Sequence, residues 1–164
     1  MVNCGKWCYF VPTNSKLPVL ANIYGEYKVS MDTKGRLLVP ADYCKQLPET
    51  ERTRFHVKIA KAGCLTLYTE SQWIIAEAAL AKLNPLKAKA MEFKRQFLDG
   101  YRTLEVDSAN RILIPKNLQD AAGLSKDITF WAMGDQVEIW DVTRKETYMK
   151  SLGEDLDLTD DLFS

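Results

Sequence analysis

The chain has 164 residues, 46% of them apolar, and its 22 lysines and arginines balance 22 aspartates and glutamates. This length and apolar content suffice for a buried core, so the composition excludes a disordered chain. No apolar run approaches the roughly 20 residues of a membrane-spanning helix, which argues against a membrane protein. Five acidic residues lie together near the C-terminus, so the rest of the chain is mildly basic, with 22 basic against 17 acidic residues.

Residues 1–24 are predicted to be a poorly ordered N-terminal extension. Their short apolar stretch matches the core of a signal peptide only weakly, because Pro12, Asn14 and Lys16 interrupt it. The sequence therefore favours a cytoplasmic protein.

Residues 25–70 are predicted to form a first β-rich unit. Apolar and polar residues alternate from Tyr27 to Met31, which is the period of a half-buried strand. A tight turn is predicted from Asp32 to Gly35, because aspartate accepts hydrogen bonds from nearby amides and glycine tolerates a positive φ.

A second strand, a helix and a hairpin are predicted to complete this unit. The strand begins at Arg36, and Pro40 opens a helix over 41–47, where a missing amide hydrogen costs least. Alternating residues at 55–59 and 64–68 predict the hairpin.

Residues 71–100 are predicted to form two connecting helices, 72–83 and 86–98, separated at Pro85. The first helix has an apolar face and is expected to pack against the body of the protein. The second carries basic residues that either contact phosphates or form a solvated face: Lys87, Lys89, Lys94 and Arg95.

Residues 101–144 are predicted to repeat the first unit. The segment 32–40, Asp-Thr-Lys-Gly-Arg-Leu-Leu-Val-Pro, recurs at 107–115 as Asp-Ser-Ala-Asn-Arg-Ile-Leu-Ile-Pro, at a constant offset of 75 residues (107 − 32). Self-similarity of this kind indicates one structural unit used twice. The shared aspartate, apolar triplet and proline are interpreted as architectural.

The helices that follow the two hairpins are each predicted to begin with a capping box. The pairs are Thr69 with Gln72 and Thr143 with Glu146. Residues 145–164 are predicted to be a C-terminal helix and a mobile acidic tail.

The two turns hold the candidate DNA-binding residues. The planar guanidinium of Arg36 matches O6 and N7 of guanine, and the compact charge of Lys34 suits a phosphate. Gly35 is the third candidate of this turn, because a turn presents free backbone amides that can hold phosphates. Arg111 holds the equivalent place in the second turn and is the weaker candidate, because Lys34-Gly35 is replaced by Ala-Asn there.

The aspartates of the two turns are predicted to shape them. A carboxylate that faces DNA is repelled by phosphate unless it supports an arginine or accepts from cytosine. We therefore expect ion pairs of Asp32 with Arg36 and of Asp107 with Arg111.

The sequence contains no motif typical of an enzyme active site or a metal site. The four cysteines and the single histidine lack the spacing of a zinc site, and no Gly-rich phosphate loop or H-E-x-x-H motif is present. We predict no metal, no cofactor, no small-molecule substrate and no enzyme activity, and we expect His56 to be a surface side chain.

Four positions could belong either to the core or to subunit contacts: Val29, Leu37, Ile112 and Trp131.

From about residue 25 to about residue 152 the chain resembles the MraZ family of bacterial transcriptional regulators. The resemblance is carried by Gly-Glu-Tyr-x-Val-Ser-x-Asp-x-Lys-Gly-Arg-Leu-x-x-Pro from Gly25, by the second Asp-x-x-x-Arg-Ile-Leu-Ile-Pro from Asp107, and by Val-Glu-Ile-Trp from Val137. It implies a β-rich α+β fold in which two tandem AbrB-like swapped-hairpin units form an intrachain pseudo-dimer, with connecting helices.

The resemblance also implies a function and partners. Members of the family assemble into rings and bind tandem, short G-containing repeats in double-stranded DNA upstream of their own operon, in the division and cell-wall gene cluster, usually as repressors. A nucleoid-associated homo-oligomer with no membrane partner is therefore expected. The alternative is a ring-forming protein-interaction scaffold without sequence-specific DNA binding.

Overall fold

A computed structural model describes residues 22–152 of the chain. The strands in this range are β1 Ile23–Ser30, β2 Arg36–Leu38, β3 Arg54–Ile59, β4 Leu65–Tyr68, β5 Arg102–Glu105, β6 Arg111–Leu113, β7 Asp127–Gly134 and β8 Val137–Asp141. The helices are α1 Ala41–Gln46, α2 Glu70–Ala81, α3 Ala88–Phe97, α4 Lys116–Ala122 and α5 Val142–Leu152. Strand β1 begins inside the predicted N-terminal extension; the rest of that extension and the acidic tail lie outside the described residues.

Six strands form one antiparallel sheet in the order β1-β7-β8-β4-β3-β5. Strand β1 of the first unit pairs with β7 of the second, and β5 of the second pairs with β3 of the first. When each strand is replaced by its counterpart in the other unit (β1 by β5, β3 by β7, β4 by β8), the order reads the same in reverse. This exchange of strands confirms the predicted β-rich fold of two swapped-hairpin units joined as an intrachain pseudo-dimer.

The remaining two strands, β2 and β6, pair with each other across the two units as a short antiparallel ribbon. At its centre Leu37 lies opposite Ile112, and both side chains are fully buried. These two residues belong to the core, as do the fully buried residues Phe55, Leu65, Leu118, Ile128, Phe130 and Ile139. The ribbon is therefore attached to the core by its central pair, and the next residues along each strand point away from it.

The other two positions left open by the sequence are only partly buried. Val29 packs against the edge of the core. The ring of Trp131 lies under the ammonium of Lys145, whose Nζ is 4.0 Å from the ring centroid. The same ammonium is 2.7 Å from a carboxylate oxygen of Glu26, so it joins α5 to β1.

Helix α2 begins as predicted, with a complete capping box. The Thr69 hydroxyl accepts from the amide of Gln72 at 3.4 Å, and the Gln72 side chain accepts from the amide of Thr69 at 2.9 Å.

The predicted capping box of the last helix is wrong. Helix α5 begins at Val142, and the carboxylate of Asp141 accepts from the amides of Thr143 and Arg144 at 3.1 and 3.2 Å. Asp141 also accepts from the hydroxyl of Ser125 at 2.5 Å. An ionised carboxylate suits the positive end of a helix better than a threonine hydroxyl, so the helix starts at the aspartate.

The prediction that His56 lies on the surface is also wrong, since the residue is only 5% exposed. Its neighbours on β3 face the main core, and the period of the strand turns His56 to the opposite face, which α2 covers. Its Nδ1 lies 2.8 Å from the hydroxyl of Tyr101 and its Nε2 lies 2.9 Å from the carboxylate of Glu70. The ring stacks on Trp73 with centroids 5.2 Å apart, so His56 has a structural role between sheet and helix.

Candidate nucleic-acid interface

The carboxylate of Asp32 organises the first turn. One of its oxygens accepts from the backbone amides of Lys34 and Arg36 at 2.9 Å each, and the other lies 2.6 Å from Nε of Arg36. The amide of Gly35 donates to the Asp32 carbonyl at 3.0 Å. The expected ion pair is therefore present and belongs to a larger set of bonds that fixes the turn.

The second turn repeats this geometry. The carboxylate of Asp107 accepts from the amides of Ala109 and Arg111 at 2.9 Å, and its other oxygen lies 2.9 Å from Nε of Arg111. The two turns thus hold their arginines in the same way, although the residues between aspartate and arginine differ.

Both turn carboxyl groups are stabilised in the ionised form. The amide of Arg36 lowers the pKa of Asp32 most strongly, and desolvation, the second largest effect, opposes it. The guanidinium of Arg36 and the amide of Lys34 lower this pKa further, so that it lies below its usual value. The pKa of Asp107 is lowered by the equivalent contacts, those of Arg111 first. Each arginine therefore keeps a negatively charged partner at neutral pH.

The positive charge presented by the two turns is unequal. Lys34 is exposed and forms no ion pair with any residue in 22–152. Arg36 and Arg111 are each about one third exposed while bound to their aspartates. The position equivalent to Lys34 is Ala109, so the first turn presents two cations and the second presents one.

We define the outer face of the ribbon as Arg36 and Leu38 on β2 with Arg111 and Leu113 on β6. Arg36 lies opposite Leu113, and Leu38 lies opposite Arg111. The two leucines are 49% and 56% exposed. The interpretation of the whole apolar triplet as architectural is therefore wrong for its middle residue, because alternation along a strand turns that residue outward.

The second turn uses an asparagine to reach the neighbouring chain segment. Asn110 has a positive φ of 60°, which asparagine adopts more readily than most residues. Its side-chain amide donates to the carbonyl of Val39 at 3.1 Å and lies 3.5 Å from Sγ of Cys44.

Beside the first turn, the equivalent bond is made by a residue of α4. Gly35 has a positive φ of 82° and no side chain to offer. Gln119, the counterpart of Cys44, instead donates its amide to the carbonyl of Ile114, the counterpart of Val39, at 2.7 Å. A side-chain amide thus reaches the same carbonyl in both halves, from the turn in one and from α4 in the other.

Within residues 22–152, no three His, Cys, Asp or Glu side chains lie close enough together to hold a metal ion. In the same range no helix is both long and apolar enough to cross a membrane. Cys44 and Cys64 are buried free thiols, and burial raises the pKa of Cys64 well above its usual value.

The family model described as "MraZ protein, putative antitoxin-like" matches the chain twice, over residues 23–96 and 97–161. A protein of Christiangramia forsetii named transcriptional regulator MraZ is 36% identical, over 83% of this chain and 88% of that protein. Proteins of the same name from Acetivibrio thermocellus and Ligilactobacillus salivarius are each 37% identical. These two alignments cover 76% and 81% of this chain and 85% and 90% of the relatives.

Proposed function

The chain belongs to the MraZ family, and from this we propose that it is a transcriptional regulator that binds double-stranded DNA through the two turns and the ribbon between them. The observation that carries the proposal is the pair of equivalent turns, in which an aspartate holds an arginine at the edge of an exposed two-stranded ribbon. A two-stranded β-ribbon fits the major groove of DNA.

The residues of the first turn are assigned separate roles. Arg36 contacts a guanine with its guanidinium, and Lys34 contacts a phosphate. Gly35 is assigned a role in the turn itself: its amide donates to the Asp32 carbonyl, and a side chain there would meet Gln119 inside the protein. Asp32 fixes the direction of Arg36 before DNA arrives, which reduces the side-chain entropy lost on binding.

The second turn is assigned a smaller part of the binding energy. Arg111 is held by Asp107 in the way that Arg36 is held by Asp32. Its turn lacks a lysine, and the side chain of Asn110 is already occupied with Val39. We therefore assign Arg111 one base or phosphate contact, without a neighbouring cation.

The proposed target is a set of tandem, short G-containing repeats upstream of the protein's own gene, within the division and cell-wall gene cluster. Guanine suits the arginines, because its O6 and N7 accept both bonds of a guanidinium. Binding there by a cytoplasmic, nucleoid-associated protein would repress that promoter by occupying it. No cofactor or small-molecule substrate is part of this proposal.

A mobility-shift assay with DNA from upstream of the protein's own gene tests the function directly. We expect tighter binding to this DNA than to a scrambled sequence of the same composition. The affinity should fall by about tenfold or more between 50 and 200 mM salt, because each neutralised phosphate releases counterions. Equal affinity for the native and scrambled DNA would support an interaction scaffold and contradict the proposal.

Assembly into a ring is the second part of the proposal. One pair of turns offers few contacts, whereas a ring that repeats them along tandem DNA sites makes every later contact intramolecular. Light scattering of the protein is therefore expected to give the mass of a closed oligomer, and DNA with several repeats should bind more tightly than DNA with one. A monomer that binds one repeat as tightly as several would contradict the ring.

A further inference from the structure

The outer face of the ribbon exposes two leucines beside its two arginines. Leu38 and Leu113 occupy equivalent positions in the two units and are 49% and 56% exposed. Both units keep leucine here, although the turn residues at 34 and 35 differ from those at 109 and 110.

Each leucine lies directly across the ribbon from an arginine. Leu113 pairs with Arg36 and Leu38 pairs with Arg111. Side chains of directly opposed residues in an antiparallel pair have Cβ atoms about 4.5–5.5 Å apart and point to the same side. Any surface that the two arginines contact from this face therefore also meets the two leucines.

Leucine cannot bond to a phosphate or to the polar edge of a base. The major groove offers one protruding apolar group, the C5-methyl of thymine, and apolar side chains recognise thymine through it. We propose that Leu38 and Leu113 contact thymine methyl groups next to the bases bound by the arginines, and so add thymine to the sequence that the protein recognises. The inference rests on the proposed function and adds a specificity determinant to the same surface.

Replacing thymine with uracil tests this contact, since uracil keeps the base pair and removes only the methyl group. The probe is DNA from upstream of the protein's own gene, prepared with thymidine or with deoxyuridine. We expect the wild-type protein to bind the uracil DNA roughly four-fold more weakly for each contacted methyl group, as follows from the transfer free energy of one such group.

The double variant Leu38→Gln/Leu113→Gln should bind both forms of the DNA equally. Glutamine is similar in length and carries no branched methyl groups. Ile74→Gln is the matched control, since Ile74 is 52% exposed on α2, which packs mainly against β3 and β4, and this variant should discriminate like wild type. Thermal unfolding checks that the variants are folded, and if the double variant is not, each single variant should lose part of the discrimination.

Two results would overturn the inference while leaving the proposed function intact. One is wild-type protein that binds thymine and uracil DNA equally, and the other is a double variant that still discriminates. Loss of the oligomer in the leucine variants would assign these side chains to subunit contacts and would also overturn it. If wild-type protein binds neither DNA in preference to a scrambled sequence, the proposed function itself fails.

Discussion

Replacing Arg36 with alanine is expected to weaken binding to the upstream DNA by more than about 100-fold. A guanidinium that bonds to both acceptors of one guanine contributes a factor of about 10 to 100 in affinity, and an oligomer loses this contact in every subunit. The variant also leaves Asp32 without its ion-pair partner, so an uncompensated negative charge faces the phosphates. Mobility shift at fixed salt measures the loss.

Three further variants separate the geometry of the contact from its charge. Arg36→Lys keeps the charge without the planar fork, and it should recover little of the specific binding. Arg54→Ala removes the same charge from a half-exposed arginine that pairs with Glu105 at 2.9 Å, and it should bind nearly as well as wild type. Arg111→Ala should give an intermediate loss. The assignment of Arg36 is wrong if Arg36→Ala binds the upstream DNA as tightly as wild type does.

The second large effect, on the free energy of unfolding, is expected when Gly35 of the first turn is replaced by asparagine, the residue at the equivalent position of the second turn. A Cβ atom at Gly35 would lie 2.1 Å from Nε2 of Gln119, and it would come within 3.0 Å of the Ile114 carbonyl. Gly35→Asn must therefore displace Gln119 and break its bond to that carbonyl. We expect a loss of about 2 kcal/mol in the free energy of unfolding, in the range typical of overpacking.

Gln119→Cys in the same chain should restore most of this stability. The double variant recreates the pair found in the other half, where Asn110 reaches the Val39 carbonyl beside Cys44. On its own, Gln119→Cys should cost about 1 kcal/mol, the typical net contribution of one hydrogen bond.

Urea unfolding of the single and double variants gives the coupling energy between positions 35 and 119. We expect a favourable coupling on the order of 1–3 kcal/mol. Asn110→Gly and Cys44→Gln form the mirror-image cycle in the second half and should show a coupling of the same sign. Additive effects in both cycles would mean that the two arrangements are not equivalent.

The repeated segment allowed much of the fold to be predicted from the sequence. The constant offset between the two copies identified the two turns as equivalent, and the alternation of residues located most strands. The swapped-hairpin arrangement of the units was implied by the family resemblance. The middle residue of the apolar triplet was wrongly interpreted as architectural. Once Leu37 is known to be buried, the period of the strand alone places Leu38 outside.

Contacts made across the molecule could not be predicted in the same way. The burial of His56 depends on Trp73 and Tyr101, and no local pattern places these two aromatic side chains beside it. The bond from Gln119 to the carbonyl of Ile114 lies beside Gly35. This proximity comes from the pairing of β2 with β6, which joins the two units. The roles of Arg36, Lys34 and Arg111 at DNA stay predictions that the binding assays address.

The exchange of strands has a consequence for the order in which the protein is made. Ile23 at the start of β1 pairs with Gly134 at the end of β7, so the first strand leaves the ribosome long before its partner is translated. Domains usually fold as units during synthesis, but the first unit here lacks the strands that complete its sheet. A product that stops between the units would leave β1 unpaired and Leu37 without Ile112. Synthesis therefore yields a folded protein only when nearly the whole described chain has been translated.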